Sequence, residues 1–247
     1  MVLYGLIGYP LGHSWSAFLF TQKFLQEGKV DHEYRLFPLP DLCGLYSLIE
    51  SQPALSGLNV TVPYKERVIP FLDELDETAQ IIGAVNTIKI VRKNGKIHTR
   101  GYNTDASGFL HSLPHRLPYA SALILGTGGA AKAVAHSLRI LRINHQFVSR
   151  TDHSGDTITY NEITSGLMDL YKFIINTTPS GMYPETNHCP AIPYQDLSHS
   201  HFLYDLIYNP AETVFLKHGM SAGCKVMNGQ QMFIHQARLA YDIFLAP

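Results

Sequence analysis

The sequence is poor in cysteine and carries almost no net charge. Its 247 residues contain three cysteines, Cys43, Cys189 and Cys224, which are odd in number and widely separated. No Cys-x-x-Cys pair or Cys/His ligand spacing is present, so we expect neither a disulfide framework nor a metal site. Lysine and arginine number 19 against 20 acidic residues, a formal charge of −1. This balance gives no reason to expect nucleic acid or a membrane as a partner.

Long apolar segments are absent as well. No run of about 18 apolar residues lacks both charge and glycine, which excludes a predicted transmembrane helix. The N-terminal residues "MVLYGLIGYPLGHS" have no basic region and run directly into a strand-like pattern, so they do not resemble a signal peptide. We expect a soluble globular protein in the reducing cytoplasm, since 45% of the residues are hydrophobic and 16% are charged.

The first half of the chain alternates short apolar runs with helical patterns. Residues 86–103 alternate around Asn94-Gly95 and predict an antiparallel hairpin. The separation of the other runs by helical patterns predicts parallel β-α-β units. Strands are predicted at 3–8, 32–39 and 57–62, and helices at about 16–27, at about 42–51 and after Pro63.

A second series of the same kind begins near Ser121. The stretch "SALILGTGGAAKAVAHSLRILR" predicts a strand, a tight glycine turn and a helix. Later strands are predicted at 145–151, 171–181 and 201–210, and an amphipathic helix at 228–245. Residues 114–118 are rich in proline and are predicted to join the two halves. The fold class is therefore α/β, with two α/β domains, the first of which has a mixed, mostly parallel sheet that includes the hairpin.

The glycine turn indicates a dinucleotide site. Gly126, Gly128 and Ala131 have the G-x-G-x-x-[GA] spacing, in which glycines let the backbone approach a pyrophosphate at a helix N-terminus. The alternative is that the glycines serve packing alone. The next predicted strand ends in Ser149, Arg150 and Thr151, where NAD sites carry an acidic residue. Arg150 favours NADP, because it can pair with a 2′-phosphate; the alternative is an exposed surface arginine.

Lys65, in "GLNVTVPYKE", is predicted near the start of a helix, where a cation is disfavoured. A lysine in such a place suits proton transfer to a hydroxyl or carbonyl, and Asp105 of "GYNTDASG" can orient it. The alternative is a surface lysine and a helix-capping aspartate. Further polar residues that can bind a substrate occur in three other stretches: His13, Ser14 and Ser16 in "GYPLGHSWS", Asn86 in "GAVNT" and Gln236 in "QMFIHQARLA".

These stretches together resemble the shikimate/quinate dehydrogenase family. The family's motifs appear in order as "GYPLGHSWS", "GLNVTVPYK", "GAVNT", "GYNTDASG", "GTGGAA", "SRT", "YDLIYNPAETVFL" and "NGQQMFIHQA", which span nearly the whole chain. The resemblance implies the NADPH-dependent reduction of 3-dehydroshikimate to shikimate, on the route to chorismate and the aromatic amino acids. It also implies a substrate domain at 1–110, completed by residues 228–247, and an inserted Rossmann-like NADP-binding domain at 111–227, with the active site between them.

The resemblance also assigns roles to individual residues. Lys65 and Asp105 form the catalytic pair, and Asp105 also contacts the substrate. The other substrate ligands are Ser14, Ser16 and Tyr208 for the carboxylate and Asn59, Thr61, Asn86 and Gln236 for the ring hydroxyls. The cofactor ligands are Gly126, Thr127, Gly128, Gly129 and Ala130 for the pyrophosphate, Ser149, Arg150 and Thr151 for the 2′-phosphate, Leu206 and Gly229 for the nicotinamide, and Glu77.

The chain departs from the family pattern at a few positions. Ala17 replaces a proline after the serines, and Leu206 replaces a methionine. A second arginine after Arg150 is missing, and Asp152 leaves room for NAD. A quinate/shikimate dehydrogenase that uses NAD is therefore one alternative, and a non-catalytic dinucleotide-binding regulator is another. The expected partner is a small-molecule substrate, and the expected state is a monomer or homodimer.

Overall fold

The computed structural model describes residues 1–11, 14–151 and 157–246. The chain forms two compact units: unit 1 comprises Met1–Asp105 with Gln236–Pro247, and unit 2 comprises Ala106–His235. The division therefore lies at 105/106 and 235/236, whereas the sequence placed it at 110/111 and 227/228. Residues 114–118, predicted to join the domains, lie inside unit 2. Both new boundaries fall within or at the start of helices, where composition does not change.

Unit 1 contains a six-stranded mixed sheet in the order β2-β1-β3-β5-β6-β4. Its strands are β1 (Val2–Gly8), β2 (His32–Pro38), β3 (Leu55–Val60), β4 (Glu74–Leu75), β5 (Thr87–Lys93) and β6 (Lys96–Tyr102). Its helices are α1 (Trp15–Gln26), α2 (Gly44–Ser51) and α3 (Glu77–Ile82), and α4 (Asp105–Ser112) starts at its edge. The pairs β1-β2 and β1-β3 are parallel, and β3-β5 and β5-β6 are antiparallel.

Both faces of the unit 1 sheet are covered, which explains the unbroken apolar run of β1. Leu3 and Ile7 belong to the cluster that includes α2, while Tyr4 and Leu6 belong to the cluster that includes α1. Alternate residues of a strand point to opposite faces, so a doubly covered strand needs apolar residues throughout. The predicted hairpin is confirmed: Asn94 and Gly95 form its two-residue turn with positive φ angles of 53° and 74°.

The prediction of a helix directly after Pro63 is wrong. Lys65 lies in a turn, which is followed by a short 3-10 segment, Ile69–Phe71, and the next α-helix is α3. Pro70 explains the difference, because proline lacks an N–H and disfavours an α-helical residue before it. Asp76, directly before α3, caps this helix, because its side chain accepts a hydrogen bond from Ala79 N at 2.9 Å.

Unit 2 contains a parallel sheet of the order expected for a Rossmann fold. Its strands are β7 (Ser121–Leu125), β8 (Asn144–Ser149), β9 (Thr157–Thr159), β10 (Phe173–Asn176), β11 (Phe202–Asp205) and β12 (Lys225–Met227). Its helices are α5 (Gly129–Ile140), α6 (Ser165–Leu170), α7 (Val214–Ser221) and the first part of α8 (Gln230–Leu245). The order β12-β11-β10-β7-β8-β9 reverses direction between β7 and β10, the position where such sheets bind ligands. The predicted α/β class with one mixed and one Rossmann-like sheet is confirmed.

Candidate active site

In unit 2, the turn after β7 contains Gly126 and Gly128, and the protein's own structure requires glycine only at the first of these positions. Gly126 has φ of 112°, and a Cβ there would lie 2.7 Å from Thr177 Oγ1, so the protein itself requires glycine. Gly128 precedes α5 with φ of −78°, and a Cβ there would meet no atom of the described residues within 4 Å. Neither its conformation nor packing against the described part of the chain requires glycine at position 128. The space beside it, at the N-terminus of a 12-residue helix, fits the pyrophosphate of a dinucleotide.

Thr127, Gly129 and Ala130 complete this turn and the first turn of α5. On the neighbouring strand, β8 ends at the buried Ser149, and Arg150 and Thr151 follow it at exposed positions. The backbone N–H of Thr151 donates to Ser149 Oγ at 3.4 Å. Burial raises the pKa of Tyr160, and the charge of the nearby Arg150 opposes this shift. Asp152, which bears on the choice between NADP and NAD, lies outside the described residues.

The segment after β11 contacts the start of α8 at very short range. A Cβ on Gly229 would lie 1.9 Å from Leu206 O, and Gly229 N donates to Ile207 O at 3.0 Å. Only glycine fits there, so the structure brings Leu206 and Gly229 together. Their contact with the nicotinamide stays a prediction. The ring of Tyr208 stacks on Phe233 with centroids 4.6 Å apart, and burial raises the pKa of the Tyr208 hydroxyl.

Asp205 at the end of β11 is a buried residue to which the sequence analysis assigned no role. Its Oδ1 accepts hydrogen bonds from Asn176 Nδ2 and Ile207 N, both at 3.0 Å, and its Oδ2 accepts one from Thr213 Oγ1 at 2.6 Å. Burial raises the pKa of Asp205 to about 6, although these hydrogen bonds oppose the shift. A carboxylate inside the apolar run "HFLYDLIY" was the available signal, since aspartate is rarely buried without a specific reason.

In unit 1, Lys65 and Asp105 form an ion pair. Lys65 Nζ donates to Asp105 Oδ2 at 2.7 Å, and the two side chains are 18% and 7% exposed. Asp105 is the first residue of α4, where the helix dipole favours a carboxylate. Lys65 is held through its backbone, because Val85 N donates to Lys65 O at 2.7 Å. The turn after β3 thus places the lysine at the carboxylate, without the helix N-terminus that the sequence predicted.

Asn86, directly before β5, contacts the other oxygen of this carboxylate. Its Nδ2 lies 3.0 Å from Asp105 Oδ1, 2.8 Å from Thr104 Oγ1 and 3.3 Å from Gln236 Oε1. Its Oδ1 accepts from Thr104 N at 2.7 Å. The structure therefore gathers Lys65, Asn86, Asp105 and Gln236 in one cluster, with Thr104 as a member that sequence reasoning missed.

Asn59, predicted to bind the ring hydroxyls, is buried, and both ends of its side-chain amide contact protein atoms. Its Nδ2 donates to Asn86 O at 3.3 Å and to Thr87 Oγ1 at 3.2 Å, so protein atoms accept both amide hydrogens. Its Oδ1 accepts from the Tyr34 hydroxyl at 2.8 Å. Thr61, two residues further on, is half-buried and its backbone N–H donates to Ile7 O at 2.9 Å.

The remaining predicted residues of unit 1 lie at helix starts. Ser14 caps α1, and its hydroxyl accepts from Ser16 N at 3.2 Å, with both serines half-buried. His13 lies outside the described residues. Glu77 is the exposed first residue of α3. Its contact with the cofactor stays a prediction, as do the carboxylate contacts of Ser14, Ser16 and Tyr208.

The described ranges contain no group of three or more His, Cys, Asp or Glu side chains able to hold a metal ion. In the same ranges, no helix is both long and apolar enough to cross a membrane.

Comparison with known proteins confirms the family resemblance. Residues 6–88, all within unit 1, match the family model described as the shikimate dehydrogenase substrate binding domain. A Desulforamulus reducens protein named shikimate dehydrogenase (NADP(+)) is 37% identical over 275 aligned residues, which cover 98% of this chain and 90% of the relative.

Solved structures agree with this result. The crystal structure of shikimate dehydrogenase 1 from Peptoclostridium difficile has a TM-score of 0.87 and 34% identity, over 99% of this chain and 91% of that chain. A quinate dehydrogenase from Corynebacterium glutamicum in complex with NAD has a TM-score of 0.82 and 30% identity, over 99% and 93%. The chain is thus similar, in sequence and in structure, both to a shikimate dehydrogenase and to a quinate dehydrogenase. The chain belongs to the shikimate dehydrogenase family.

Proposed function

We propose that the protein is an NADP-dependent shikimate dehydrogenase, which reversibly reduces 3-dehydroshikimate to shikimate on the route to chorismate and the aromatic amino acids. The observation that carries the proposal is the pair of Lys65 Nζ and Asp105 Oδ2 at 2.7 Å, beside the buried amide of Asn86. Interconversion of a ketone and an alcohol needs a group that exchanges a proton with the oxygen, and a lysine oriented by a carboxylate can do so.

NADPH supplies the hydride when it is bound. The open space at Gly128 and the N-terminal N–H groups of α5 are proposed to hold its pyrophosphate. Arg150 is proposed to pair with the 2′-phosphate, because a guanidinium forms bidentate contacts with phosphate oxygens. The residues present therefore fit the cofactor.

Lys65 is proposed to donate a proton to the ketone oxygen in the reductive direction and to accept it from the hydroxyl in reverse. Asp105 keeps the ammonium group oriented and, together with Asn86 and Gln236, offers hydrogen-bonding groups to the ring hydroxyls. A site built from such groups discriminates strongly against analogues that lack a hydroxyl. The hydroxyls of Ser14 and Ser16 are proposed to bind the substrate carboxylate.

The alternatives are a quinate/shikimate dehydrogenase that uses NAD and a non-catalytic regulator. Quinate has one more hydroxyl, on the carbon that carries the carboxylate, so the region of Ser14 and Ser16 decides between the substrates. Both serines are present, which favours shikimate. The Lys65–Asp105 pair opposes the regulator, because binding alone needs no proton-transfer pair.

The test is an assay at 340 nm in which shikimate and quinate are each offered with NADP⁺ and with NAD⁺. We expect turnover with shikimate and NADP⁺, and we expect Lys65→Ala to lower kcat by roughly 10²- to 10⁴-fold, as for loss of a general acid–base. Lys172→Ala is the matched control, because Lys172 also pairs with an aspartate, Asp169 at 2.8 Å, but on the surface of unit 2. Absence of turnover with every combination, although cofactor binds, would refute the enzyme and favour the regulator.

A cytoplasmic location and a monomeric or homodimeric state are also proposed. Size-exclusion chromatography with light scattering tests the second, and a larger assembly would contradict it.

A further inference from the structure

We propose that Tyr34, Asn59 and Thr87 are positioning residues, which orient the amide of Asn86 and thereby the Lys65–Asp105 pair. This inference rests on the proposed function, because it concerns the same reaction. It also changes the role of Asn59 from a ligand of the substrate ring to a residue that acts through its neighbours.

The orientation of both amides is fixed by backbone groups. Thr104 N, which can only donate, lies 2.7 Å from Asn86 Oδ1, so Nδ2 is the end that faces Asp105 Oδ1. Asn86 O, which can only accept, lies 3.3 Å from Asn59 Nδ2, so Oδ1 of Asn59 is the end that faces Tyr34. Each amide is therefore held in one of its two possible orientations.

Thr87 connects the two amides and has a single proton to donate. Asn59 Nδ2 donates to its oxygen at 3.2 Å, so the threonine proton is directed at Asn86 Oδ1, 3.3 Å away. Hydrogen bonds then run in one direction from Tyr34 through Asn59, Thr87 and Asn86 to Asp105. We call this series the Tyr34–Asp105 chain.

The Tyr34–Asp105 chain ends at the Asp105 carboxylate, both oxygens of which accept hydrogen bonds. Asn86 donates to Asp105 Oδ1 at 3.0 Å, and Lys65 donates to Oδ2 at 2.7 Å. If the Asn86 amide turned over, its oxygen would face the Asp105 carboxylate and its NH₂ group would face Thr104 N. Both contacts would be repulsive, so the orientation of Asn86 controls the position of Asp105.

Burial prevents water from replacing any link of the chain. The exposed fractions are 0% for Thr87, 3% for Asn86, 6% for Tyr34 and 7% for Asn59. A missing partner would leave a buried polar group unsatisfied, which strains the whole series. At the other end of the Tyr34–Asp105 chain, Tyr34 is held in place because its ring stacks on Phe20, with centroids 4.5 Å apart.

The Tyr34–Asp105 chain has a specific kinetic consequence. A small displacement of a catalytic group can lower a rate by up to about 10²-fold. Loss of the Tyr34–Asp105 chain should therefore lower kcat more than it raises the KM for shikimate. Loss of a residue that binds the substrate equally well in the ground state and in the transition state would instead raise KM.

The decisive variants are Thr87→Val, which removes the hydroxyl at constant shape, and Thr87→Ser, which keeps it. We expect Thr87→Val to lower kcat roughly tenfold or more, to change the KM for shikimate less than about threefold and to displace the pH–rate profile. Thr87→Ser should recover kcat to within about twofold of the parent. Tyr34→Phe removes the first donor only and should lower kcat in the same direction, by a smaller factor.

Tyr241→Phe is the matched control, because Tyr241 lies in the same aromatic cluster but its hydroxyl donates to Glu27. It should leave kcat unchanged. If Thr87→Val does not fold, Thr87→Ser and Tyr34→Phe carry the test. An unchanged kcat in Thr87→Val or Tyr34→Phe, or a rise in KM at constant kcat, would overturn the chain while leaving the proposed function intact. Absence of shikimate turnover in the unmodified enzyme would overturn both.

Discussion

Replacing Asp205 by asparagine should remove a pH dependence from the stability of unit 2. The carboxyl group is fully buried at the end of β11, with 0% exposure, and burial raises its pKa from 3.8 to about 6. The folded protein therefore binds the proton more tightly than the unfolded chain does. The protonated form contributes stability at low pH, and this contribution is lost as the pH rises from about 4 to above 6.

The magnitude follows from the size of the shift. About two pKa units correspond to roughly 3 kcal/mol over the whole titration. Between pH 5 and 7.5, about 1.4 kcal/mol of that amount should be lost by the parent relative to Asp205→Asn, which does not titrate. Taking the difference between the two proteins cancels the contributions of the other titrating groups, such as the 13 histidines.

Urea unfolding of the full chain at several pH values, followed by far-UV circular dichroism, measures this difference. Hydrogen exchange in β10 and β11 localises it to unit 2, since the single tryptophan, Trp15, lies in unit 1. Asp169→Asn is the control: Asp169 is exposed, and its hydrogen bond from Lys172 lowers its pKa, so it stays charged throughout. A difference between parent and Asp205→Asn that is flat with pH, or that rises with pH, would refute the reasoning.

Three further substitutions test individual features. Gly128→Ala should leave the melting temperature unchanged but weaken NADPH binding by about tenfold or more, because the methyl group enters the space proposed for the pyrophosphate. A fluorescence titration measures the affinity, and an unchanged affinity would contradict that assignment. Gly126→Ala should instead lower the free energy of unfolding by roughly 1–3 kcal/mol, through its φ of 112° and the contact with Thr177, and full stability would contradict it. Arg92 donates hydrogen bonds to Leu55 O, to Ile49 O at 2.8 Å and to Gln52 O at 3.1 Å, so Arg92→Met should lower the free energy of unfolding in urea by about 1–2 kcal/mol. Arg116→Met, at an exposed position, is the control, and a loss in Arg92→Met no larger than in this control would contradict the prediction.

The sequence was sufficient for features that depend on local pattern. The apolar runs located most strands, Asn94-Gly95 located the hairpin, and the glycine spacing located the turn after β7. The short strands β4, β9 and β12 were missed, because two or three residues carry too little periodicity to be recognised. The helix after Pro63 was predicted wrongly, because Pro70 outweighs the apolar pattern around it.

The chemistry of the site was predictable only as far as residue types allow. The Lys65–Asp105 pairing was inferred, and the structure places the two atoms at hydrogen-bond distance. The direction of each amide in the Tyr34–Asp105 chain depends on backbone groups from other strands, which no local pattern reveals. Thr87 is the last residue of "GAVNT", but a buried threonine in a strand has the pattern of an ordinary packing residue.

The discontinuity of unit 1 has a consequence for synthesis on the ribosome. Ala237, Ala240, Tyr241 and Phe244 cover the apolar face formed by Tyr4, Leu6, Phe20, Phe24 and Tyr34. These covering residues are translated only after all of unit 2, residues 106–235. At normal elongation rates this face stays uncovered on the nascent chain for on the order of ten seconds. During that interval the face is available to chaperones. Gln236 can contact Asn86 only after the last helix has been synthesised.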